Sequence, residues 1–341
     1  MSSILEKNVM NEFKGKKILI TGGTGSIGMG LVRQLIKYKP KAIRIFTNDE
    51  NSIFEARRII GCDPSCVFFV GDVRDKDRLS LAIRGVDIVF HAAAMKHVDI
   101  CEQNPFDAVK TNVIGTSNIL EAALIENISK FILISTDKAT QPTSTLGASK
   151  LLAERLTLNA STYRGTGKTI FSIVRFGNVI GSRGSVFQVF LEQIKKGVNL
   201  TVTDRDMTRF IMSISDAASM ILKVTQMTKN KEIFILKMPT VRIEDLAKSM
   251  IYVYTKKFPE MKNISSIKIS KTRERERLNE FLVTSDELPY CHDIGTMYKI
   301  STQRTTKKNN SVNFSSLTAP KISQEKMNQV INELLDEYIS P

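Results

Sequence analysis

The sequence predicts an α/β fold in which helices cover both faces of a doubly wound parallel sheet and a smaller C-terminal lobe follows. The first observation is size and composition: 341 residues, 42% hydrophobic and 25% charged, suit a globular chain with a substantial core. The second is that short β-branched runs alternate with helical patterns in the first half. The third is that this alternation loosens after Arg175, where glycines interrupt the chain.

Each predicted strand is a short apolar run that we expect to be buried on both faces of the sheet. The strands are predicted over 17–21, 42–47, 67–70, 86–91, 131–135 and 169–175. The helices between them are predicted over 29–38, 77–84, 112–127 and 148–163. Short links between such elements predict right-handed crossovers.

The C-terminal region predicts one more helix after a polar segment over 301–320. Ser323 is its expected N-cap. The apolar stripe of this helix consists of Met327, Val330, Ile331, Leu334 and Leu335. We expect the stripe to pack on the body of the protein.

The charge of the chain is unusual, with 49 Lys and Arg against 35 Asp and Glu, a net charge of +14. The excess is spread along the chain, and Glu274 and Glu276 interrupt its densest cluster, so we predict no nucleic-acid partner. Cys62, Cys66, Cys101 and Cys291 form neither a disulfide framework nor a zinc pattern. No apolar stretch reaches membrane-spanning length. We therefore expect a cytoplasmic protein with no metal site and no membrane partner.

A glycine motif follows the first predicted strand directly. Its residues are Gly22, Thr24, Gly25, Ser26, Ile27 and Gly28. In this position the first glycine permits a tight turn, the second admits backbone amides to a pyrophosphate, and the third lets helix and strand pack closely. The motif predicts a Rossmann-type domain that binds a dinucleotide.

The ends of the later strands add candidates for the same cofactor, because ligands of open α/β sheets lie beyond the carboxyl ends of the strands. These candidates are Thr47, Asn48, Asp49, Asp72, Val73, Ala92, Ala93 and Ala94. A carboxylate at the end of the second strand would select NAD, but Thr47 holds that position, and Arg57 and Arg58 follow. We therefore favour NADP and leave NAD possible.

The fifth predicted strand ends in Ser135, Thr136, Asp137 and Lys138, and Lys150 follows in the next helix. A hydroxyl, a carboxylate and an amine at adjacent positions can transfer protons when burial and mutual contact shift their pKa values. The same groups can also simply pair or cap within a loop. These residues alone leave both interpretations open.

Seven blocks of sequence resemble one known family over about residues 15–290. They are TGGTGSIG, GDVRD, HAAAMKHVDICEQNP, TNVIGT, STDKA, RFGNVIGSRGSV and MTRF. Together they resemble the extended short-chain dehydrogenases/reductases, and more narrowly the inverting UDP-N-acetylglucosamine 4,6-dehydratases of polysaccharide biosynthesis. A further stretch is similar to the family's Arg-Pro-Gly-Glu-Lys-x-His-Glu block and keeps Arg273, Glu276 and Glu280.

The resemblance implies a lyase that converts UDP-N-acetylglucosamine to a UDP-4-keto-6-deoxy-N-acetylhexosamine for surface polysaccharide or glycan biosynthesis. Carbon 4 is oxidised, water is eliminated across carbons 5 and 6, and the hydride returns to carbon 6. The implied roles are Lys138 as base at carbon 5, Asp137 as acid for the leaving hydroxyl, Thr136 as partner of the 4-hydroxyl, and Lys150 as the amine on the nicotinamide ribose, with Ser135 among the cofactor contacts. The candidate substrate contacts are Lys96, His97, Asn178, Arg183, Ser185, Arg209, Glu276 and Arg277. Relatives form closed oligomers, so we expect a homo-oligomer by analogy.

One position departs from the family pattern. The superfamily's active-site Tyr stands four residues before the helix Lys, and position 146 here is Leu. Deprotonation of the 4-hydroxyl then falls to Asp137, Thr136 or water. A UDP-sugar 4-epimerase is the alternative activity, although such enzymes normally need that phenol. A cofactor-binding protein without turnover is the further alternative.

These motifs also divide the chain. We expect 12–177 to form the dinucleotide-binding domain, with a return of the chain at about 205–227. Segments 178–204 and 228–298 are predicted to form a substrate-binding lobe. A linker and the amphipathic helix would occupy 299–341.

Overall fold

The computed structural model describes residues 2–61, 63–260, 266–271, 275–305 and 314–339, so Cys62 and Arg273 lie outside the described residues. The strands are β1 (Lys17–Thr21), β2 (Ala42–Thr47), β3 (Cys66–Val70), β4 (Ile88–His91), β5 (Lys130–Thr136), β6 (Ile170–Phe176), β7 (Asn178–Val179), β8 (Leu200–Val202), β9 (Thr208–Met212), β10 (Glu232–Leu236), β11 (Thr240–Arg242), β12 (Ile267–Ile269), β13 (Cys291–Asp293) and β14 (Met297–Ile300). The helices are α1 (Ser2–Phe13), α2 (Ser26–Leu35), α3 (Glu50–Ile60), α4 (Lys76–Ile83), α5 (Val98–Gln103), α6 (Pro105–Val109), α7 (Gly115–Ile125), α8 (Thr145–Ala160), α9 (Val186–Lys195), α10 (Ile214–Met227), α11 (Ile243–Lys257) and α12 (Gln324–Ile339). None of the helices that the structure describes has both the length and the apolarity needed to cross a bilayer.

The main sheet has nine strands in the order β13-β14-β10-β6-β5-β4-β1-β2-β3. All pairings from β10 to β3 are parallel. At the other edge, β14 pairs antiparallel with β10, and β13 pairs antiparallel with β14. The chain builds outward from β1 to β3 on one side and then from β4 to β6 on the other. This reversal beside β1 confirms the predicted doubly wound α/β fold and creates the crevice in which such folds bind ligands.

The prediction that every strand is buried on both faces is wrong for β3. Val67 and Val70 are 45% and 52% exposed, because β3 is the edge of the sheet and pairs with β2 alone. The guanidinium of Arg57 lies 5.3 Å from the ring centroid of Phe68 on this strand. Long cationic side chains stacked on aromatic rings therefore cover part of the edge.

A second apolar core lies beside the sheet and is built by α9, α11, α12 and β8. Met327, Ile331 and Leu335 of α12 are at most 3% exposed in it, so the predicted stripe does pack on the body of the protein. Ser323 Oγ accepts the backbone amide of Lys326 at 3.2 Å, as expected of the N-cap. The polar segment before α12 is described at 301–305 and 314–320 only.

Two strands within the segment 228–298, β10 and β13, belong to the main sheet. A third, β14, begins in this segment and ends just beyond it. β10 pairs with β6 in parallel, β14 pairs with β10, and β13 pairs with β14. The chain leaves the sheet after β10, builds α11, and returns to the sheet only at β13. Because of this long excursion, strands and helices do not alternate regularly along the sequence here. The use of the remaining lobe residues for substrate binding stays a prediction.

Candidate active site

A cleft of about 850 Å³ follows the carboxyl ends of β1 to β6. The predicted site residues that line it are Gly22, Thr24, Gly25, Ser26, Ile27, Gly28, Thr47, Asn48, Asp49, Asp72, Val73, Ala92, Ala93, Ala94, Lys96, His97, Ser135, Thr136, Lys138, Lys150, Asn178, Arg183 and Ser185. The predicted residues outside its lining are Asp137, Arg209, Glu276 and Arg277. The shared edge of parallel strands thus gathers side chains that are far apart in sequence.

The glycine turn after β1 has the shape that a pyrophosphate needs. Gly22 adopts a φ of +63°, in the left-handed region that favours glycine. A Cβ atom at Gly28 would lie 2.5 Å from the carbonyl oxygen of Gly22, so α2 can approach the turn only without one. Gly25 is the N-cap of α2, and because glycine has no side chain, no side chain caps the backbone amides of the first turn. The amides and the dipole at this helix start therefore suit an anionic ligand.

A network of hydroxyl groups occupies the end of β2. Thr24 Oγ1 donates to Thr47 Oγ1 at 2.9 Å, and Ser52 Oγ donates to Thr24 Oγ1 at 2.8 Å. The carboxylate of Asp49 accepts the backbone amides of Asn51 and Ser52 and so caps α3. The strand end therefore presents hydroxyl groups, and the carboxylate beside it is engaged by a helix.

The end of β3 presents a carboxylate that is held ionised. Asp72 Oδ2 lies 2.7 Å from Arg74 Nη2, and the hydrogen bond from Arg74 lowers the pKa of Asp72. Asn48 Nδ2 donates to the same oxygen at 3.4 Å. An ionised carboxylate here can accept a hydrogen bond from an adenine amino group. With the glycine turn and the small residues after β4, this donor and acceptor set fits a nicotinamide dinucleotide.

The proton-transfer cluster consists of Thr136, Asp137 and Lys138 at the end of β5. Asp137 Oδ1 accepts from Thr136 Oγ1 at 2.9 Å and from Lys138 Nζ at 3.1 Å. Asp137 is fully buried, whereas the other two residues line the cleft. Asp137 Oδ2 is buried and has no hydrogen-bond partner among the described residues. Asp137 can therefore exchange protons with two groups that face the cleft.

Glu280 extends this cluster, although sequence reasoning quoted it in a motif block and assigned it no role. Its Oε1 lies 3.6 Å from Lys138 Nζ, and its side chain is 3% exposed. Burial raises the pKa of Glu280, against the opposing attraction of Lys138. Burial also disfavours the Lys138 ammonium, but the carboxylates of Asp137 and Glu280 outweigh it and raise the pKa of Lys138. The arrangement holds Lys138 as a cation between two buried acids.

Lys150 and Leu146 both lie on α8 and line the cleft. Lys150 Nζ donates to the carbonyl oxygen of Ile134 at 2.7 Å, and burial lowers the pKa of Lys150 to about 8. Leu146 is 3% exposed and packs against Cys101 and Ala108. The phenol of the family pattern is thus replaced by an apolar contact, and the hydroxyl of the proton-transfer cluster is that of Thr136.

Asn112 is a site residue that sequence reasoning missed. Its side chain accepts the backbone amide of Met95 at 2.8 Å and donates to the carbonyl oxygen of Met95 at 3.1 Å and to Ser149 Oγ at 3.0 Å. These bonds fix the backbone that leads from the alanines after β4 to Lys96. The available signal was a polar residue inside an apolar helical pattern, in the TNVIGT block.

The segment 182–185 lies against the start of α2. The Arg183 amide donates to Ser26 Oγ at 3.0 Å, and the Arg183 guanidinium pairs with Glu55 at 2.8 Å. Lys96 Nζ donates to the Arg183 carbonyl oxygen at 2.6 Å. Burial lowers the pKa of Lys96 and of His97. The structure thus brings the predicted substrate contacts Lys96, His97 and Arg183 close together. The guanidinium of Arg183 is already paired with Glu55.

Arg209, Glu276 and Arg277 lie outside the cleft lining, and Arg209 contacts the other two. Arg209 is 6% exposed, and its guanidinium donates to the carbonyl oxygens of Arg277 at 2.8 Å and Leu278 at 3.1 Å. Glu276 Oε1 lies 3.5 Å from Arg209 Nη2, and Arg277 donates to the Thr140 carbonyl oxygen at 3.1 Å. These contacts place the segment 276–280 beside Lys138, and a direct contact of these residues with substrate stays a prediction.

Comparison with known proteins gives relatives over almost the whole chain. A protein of Methanocaldococcus jannaschii named "uncharacterized membrane protein" is 47% identical over 330 residues, 96% of this chain and 98% of the relative. An inverting UDP-N-acetylglucosamine 4,6-dehydratase of Campylobacter jejuni is 41% identical and covers 85% of this chain and 84% of its own. A UDP-glucose 4-epimerase of Rickettsia bellii is 40% identical and covers 84% and 83%.

Solved structures agree in fold. Pen from Bacillus thuringiensis superposes with a TM-score of 0.88 at 37% identity and covers 94% of this chain and 98% of its own. DesIV, a dTDP-glucose 4,6-dehydratase of Streptomyces venezuelae solved with NAD bound, gives a TM-score of 0.70 at 20% identity over 94% and 97%. The family model for polysaccharide biosynthesis proteins matches residues 18–302. The chain therefore belongs to the polysaccharide biosynthesis protein family, and its relatives with assigned names are sugar-nucleotide-modifying enzymes, among them the inverting UDP-N-acetylglucosamine 4,6-dehydratase.

Proposed function

We propose that the chain is a lyase that dehydrates UDP-N-acetylglucosamine to a UDP-4-keto-6-deoxy-N-acetylhexosamine, with inversion at carbon 5. The observation that carries the proposal is the contact of buried Asp137 with both Thr136 and Lys138 at the cleft edge. The Campylobacter relative named as an inverting dehydratase supports this choice of reaction. The product would feed the synthesis of a surface polysaccharide or glycan.

Lys138 is the proposed base at carbon 5. A ketone at carbon 4 acidifies the neighbouring proton, and an amine that faces the cleft can then remove it. Lys138 has this position, since its side chain lines the cleft and is 22% exposed. Inversion follows when carbon 5 takes its new proton from water on the opposite face and the proton on Lys138 passes to solvent.

Thr136 and Asp137 are the proposed carriers of the hydroxyl proton. Thr136 takes the proton of the 4-hydroxyl and passes its own along the 2.9 Å hydrogen bond to Asp137 Oδ1. Protonated Asp137, which does not itself line the cleft, then returns a proton to Thr136, and the hydroxyl of Thr136 protonates the 6-hydroxyl, which leaves as water. The proton lost from carbon 4's oxygen is thus the proton that completes the water, and no other acid is needed.

A nicotinamide cofactor would accept the hydride from carbon 4 and return it to carbon 6. We propose NADP, with NAD as the alternative, held by the glycine turn, the ends of β2 to β4, Ser135 and Lys150. The hydroxyl groups of Thr24 and Thr47 and the engagement of Asp49 by α3 support NADP, because a free carboxylate at this place would repel a 2′-phosphate. Dissociation constants measured for both cofactors test the choice, and tighter binding of NAD would contradict it.

A UDP-sugar 4-epimerase is the second candidate, and the Rickettsia relative named UDP-glucose 4-epimerase favours it. An epimerase shares the oxidation at carbon 4 but returns the hydride to carbon 4 and leaves carbon 5 unchanged. Leu146 argues against it, because it supplies no phenol for the alcohol-ketone exchange on which epimerisation depends.

The test is incubation of the purified protein, loaded with cofactor, with UDP-N-acetylglucosamine, followed by mass spectrometry. We expect a product lighter by the mass of one water. Lys138→Ala is the matched variant, which we expect to retain cofactor and to form no product. An isomer of unchanged mass would support the epimerase, and unchanged substrate with cofactor bound would contradict both activities.

A further inference from the structure

We infer that Glu280 is a positioning residue that stores a proton for Lys138, and this inference rests on the proposed dehydration. The geometry is a buried carboxylate 3.6 Å from the Lys138 ammonium, and this carboxylate is not part of the cleft lining. The second oxygen of this carboxylate, Oε2, is buried and has no hydrogen-bond partner among the described residues. It is therefore free to carry a proton.

The need for a second carboxylate follows from the proton count of the reaction. Asp137 contacts Lys138 more closely, at 3.1 Å, but it is occupied when the base is needed, because it then carries the proton of the 4-hydroxyl. Lys138 must be neutral to attack the proton of carbon 5. Its own proton must therefore move to another group, and Glu280 is the other acid that contacts it among the described residues.

The proton transfer balances over one turnover. The Lys138 ammonium and the Glu280 carboxylate become an amine and a carboxylic acid, and the amine then takes the proton of carbon 5. Carbon 5 takes a proton from water, which leaves hydroxide. The Lys138 ammonium passes the proton of carbon 5 through solvent to that hydroxide, Glu280 returns its stored proton to Lys138, and the charged pair is restored. Hydrogen bonds of catalytic groups often shorten when substrate binds, so a 3.6 Å separation is compatible with this transfer.

The surroundings of Glu280 hold it at this distance. The charged groups near its carboxyl are Lys138 and Asp137 after β5, Arg209 on β9 and Arg277 on its own segment. Arg209 Nε lies 3.9 Å from Oε1, farther than Lys138. The Glu280 amide donates to Ser316 Oγ at 2.9 Å, which ties the segment to the chain before α12.

The pH dependence of dehydration separates proton storage from a structural role. In the parent, transfer within the cluster supplies the amine near neutral pH, so the rate changes little with pH there. In Glu280→Gln the amine forms only when Lys138 loses its proton to solvent, so we expect a loss of at least tenfold near neutral pH that shrinks as pH rises. Glu280→Asp should restore part of the neutral activity. A uniform loss at every pH, or none, would overturn the inference.

Ser316→Ala is the matched control, because it loosens the same segment without changing a charge. We expect it to keep the parent's pH profile. If it reproduces the profile of Glu280→Gln, the effect comes from the position of the segment, and the inference is wrong.

A second measurement needs no turnover. Acetylation of Lys138 by acetic anhydride, followed across pH by peptide mass mapping, reports its protonation directly. We expect the midpoint to fall in Glu280→Gln, and an unchanged midpoint would overturn the inference. If Glu280→Gln does not fold, Glu280→Asp makes the same test with a more distant carboxylate. A lowered midpoint with a parent that does not dehydrate the sugar nucleotide would support the coupling and contradict the proposed function.

Discussion

Replacing Lys138 by Met removes the cation between two buried acids while keeping an unbranched side chain that is only one atom shorter. Asp137 is fully buried and Glu280 is 3% exposed, and Lys138 lies 3.1 Å and 3.6 Å from their oxygens. Removing one partner of a buried ion pair costs about 3–5 kcal/mol, because a charge is left without compensation. We expect a loss of unfolding free energy of this order near neutral pH.

The pH dependence of this loss has a definite sign. Burial already raises the pKa of Glu280, and removal of Lys138 raises it further. A carboxyl whose pKa is higher in the folded than in the unfolded protein, where it is about 4.3, is neutral in both states at lower pH and costs nothing there. Above that pH the Glu280 carboxyl ionises in the unfolded chain but stays protonated in the folded variant, which lowers the free energy of unfolding. The deficit of Lys138→Met should therefore vanish below about pH 4 and grow as pH rises.

Urea unfolding of parent and variant at a series of pH values measures this deficit. The same preparations should lose dehydration by about 10²–10⁴-fold, the usual contribution of a general base, with cofactor affinity unchanged. A deficit that does not change with pH would refute the pairing of Lys138 with the two carboxylates. Retained dehydration would show that the base is another group.

Two further predictions concern the cofactor edge, and a third concerns the segment 182–185. Gly28→Ala should weaken cofactor binding at least tenfold in a fluorescence titration, because the added Cβ would clash with the backbone of the glycine turn. Gly30→Ala is the control, because its Cβ would clash with the side chain of Ile214 instead. We expect it to lower the free energy of unfolding by about 1–3 kcal/mol without changing cofactor affinity. Lys150→Met should raise the free energy of unfolding near neutral pH by on the order of 1–3 kcal/mol while weakening cofactor binding. Since burial lowers the pKa of Lys150 from 10.5 to about 8, its cost is full below the lower value and disappears only above the higher one, where the unfolded amine is neutral too. Tyr338→Phe removes the 2.6 Å hydrogen bond from α12 to the carbonyl oxygen of Gly181, the residue before the cleft-lining segment 182–185. Because this segment carries the proposed substrate contacts Arg183 and Ser185, we expect KM to rise severalfold in steady-state assays with little change in Tm.

Local patterns were enough to predict the parallel sheet and the edge at which the cleft forms. A glycine turn, a polar residue after a buried strand and a helical stripe are each recorded in a few consecutive residues. The chain therefore predicts β1, the cofactor candidates after it and the packing of α12. The parallel arrangement then brings those strand ends together without further information.

Contacts between distant residues could not be predicted in this way. Glu280 reaches Lys138 only because Arg209 and Ser316 anchor its segment, and neither contact leaves a periodic signal. The same holds for the buried pair of Arg175 with Glu154 at 2.6 Å, which sits beneath the end of β5. The antiparallel strands at the sheet edge were missed for a related reason, since they return to the sheet after a long excursion.

The configuration of the product formed in deuterated water is the decisive test of dehydration with inversion at carbon 5. We expect a proton spectrum with a methyl signal for carbon 6, no proton signal for the ketone at carbon 4, and deuterium at an inverted carbon 5. An isomer that differs at carbon 4 and carries no deuterium at carbon 5 would contradict it.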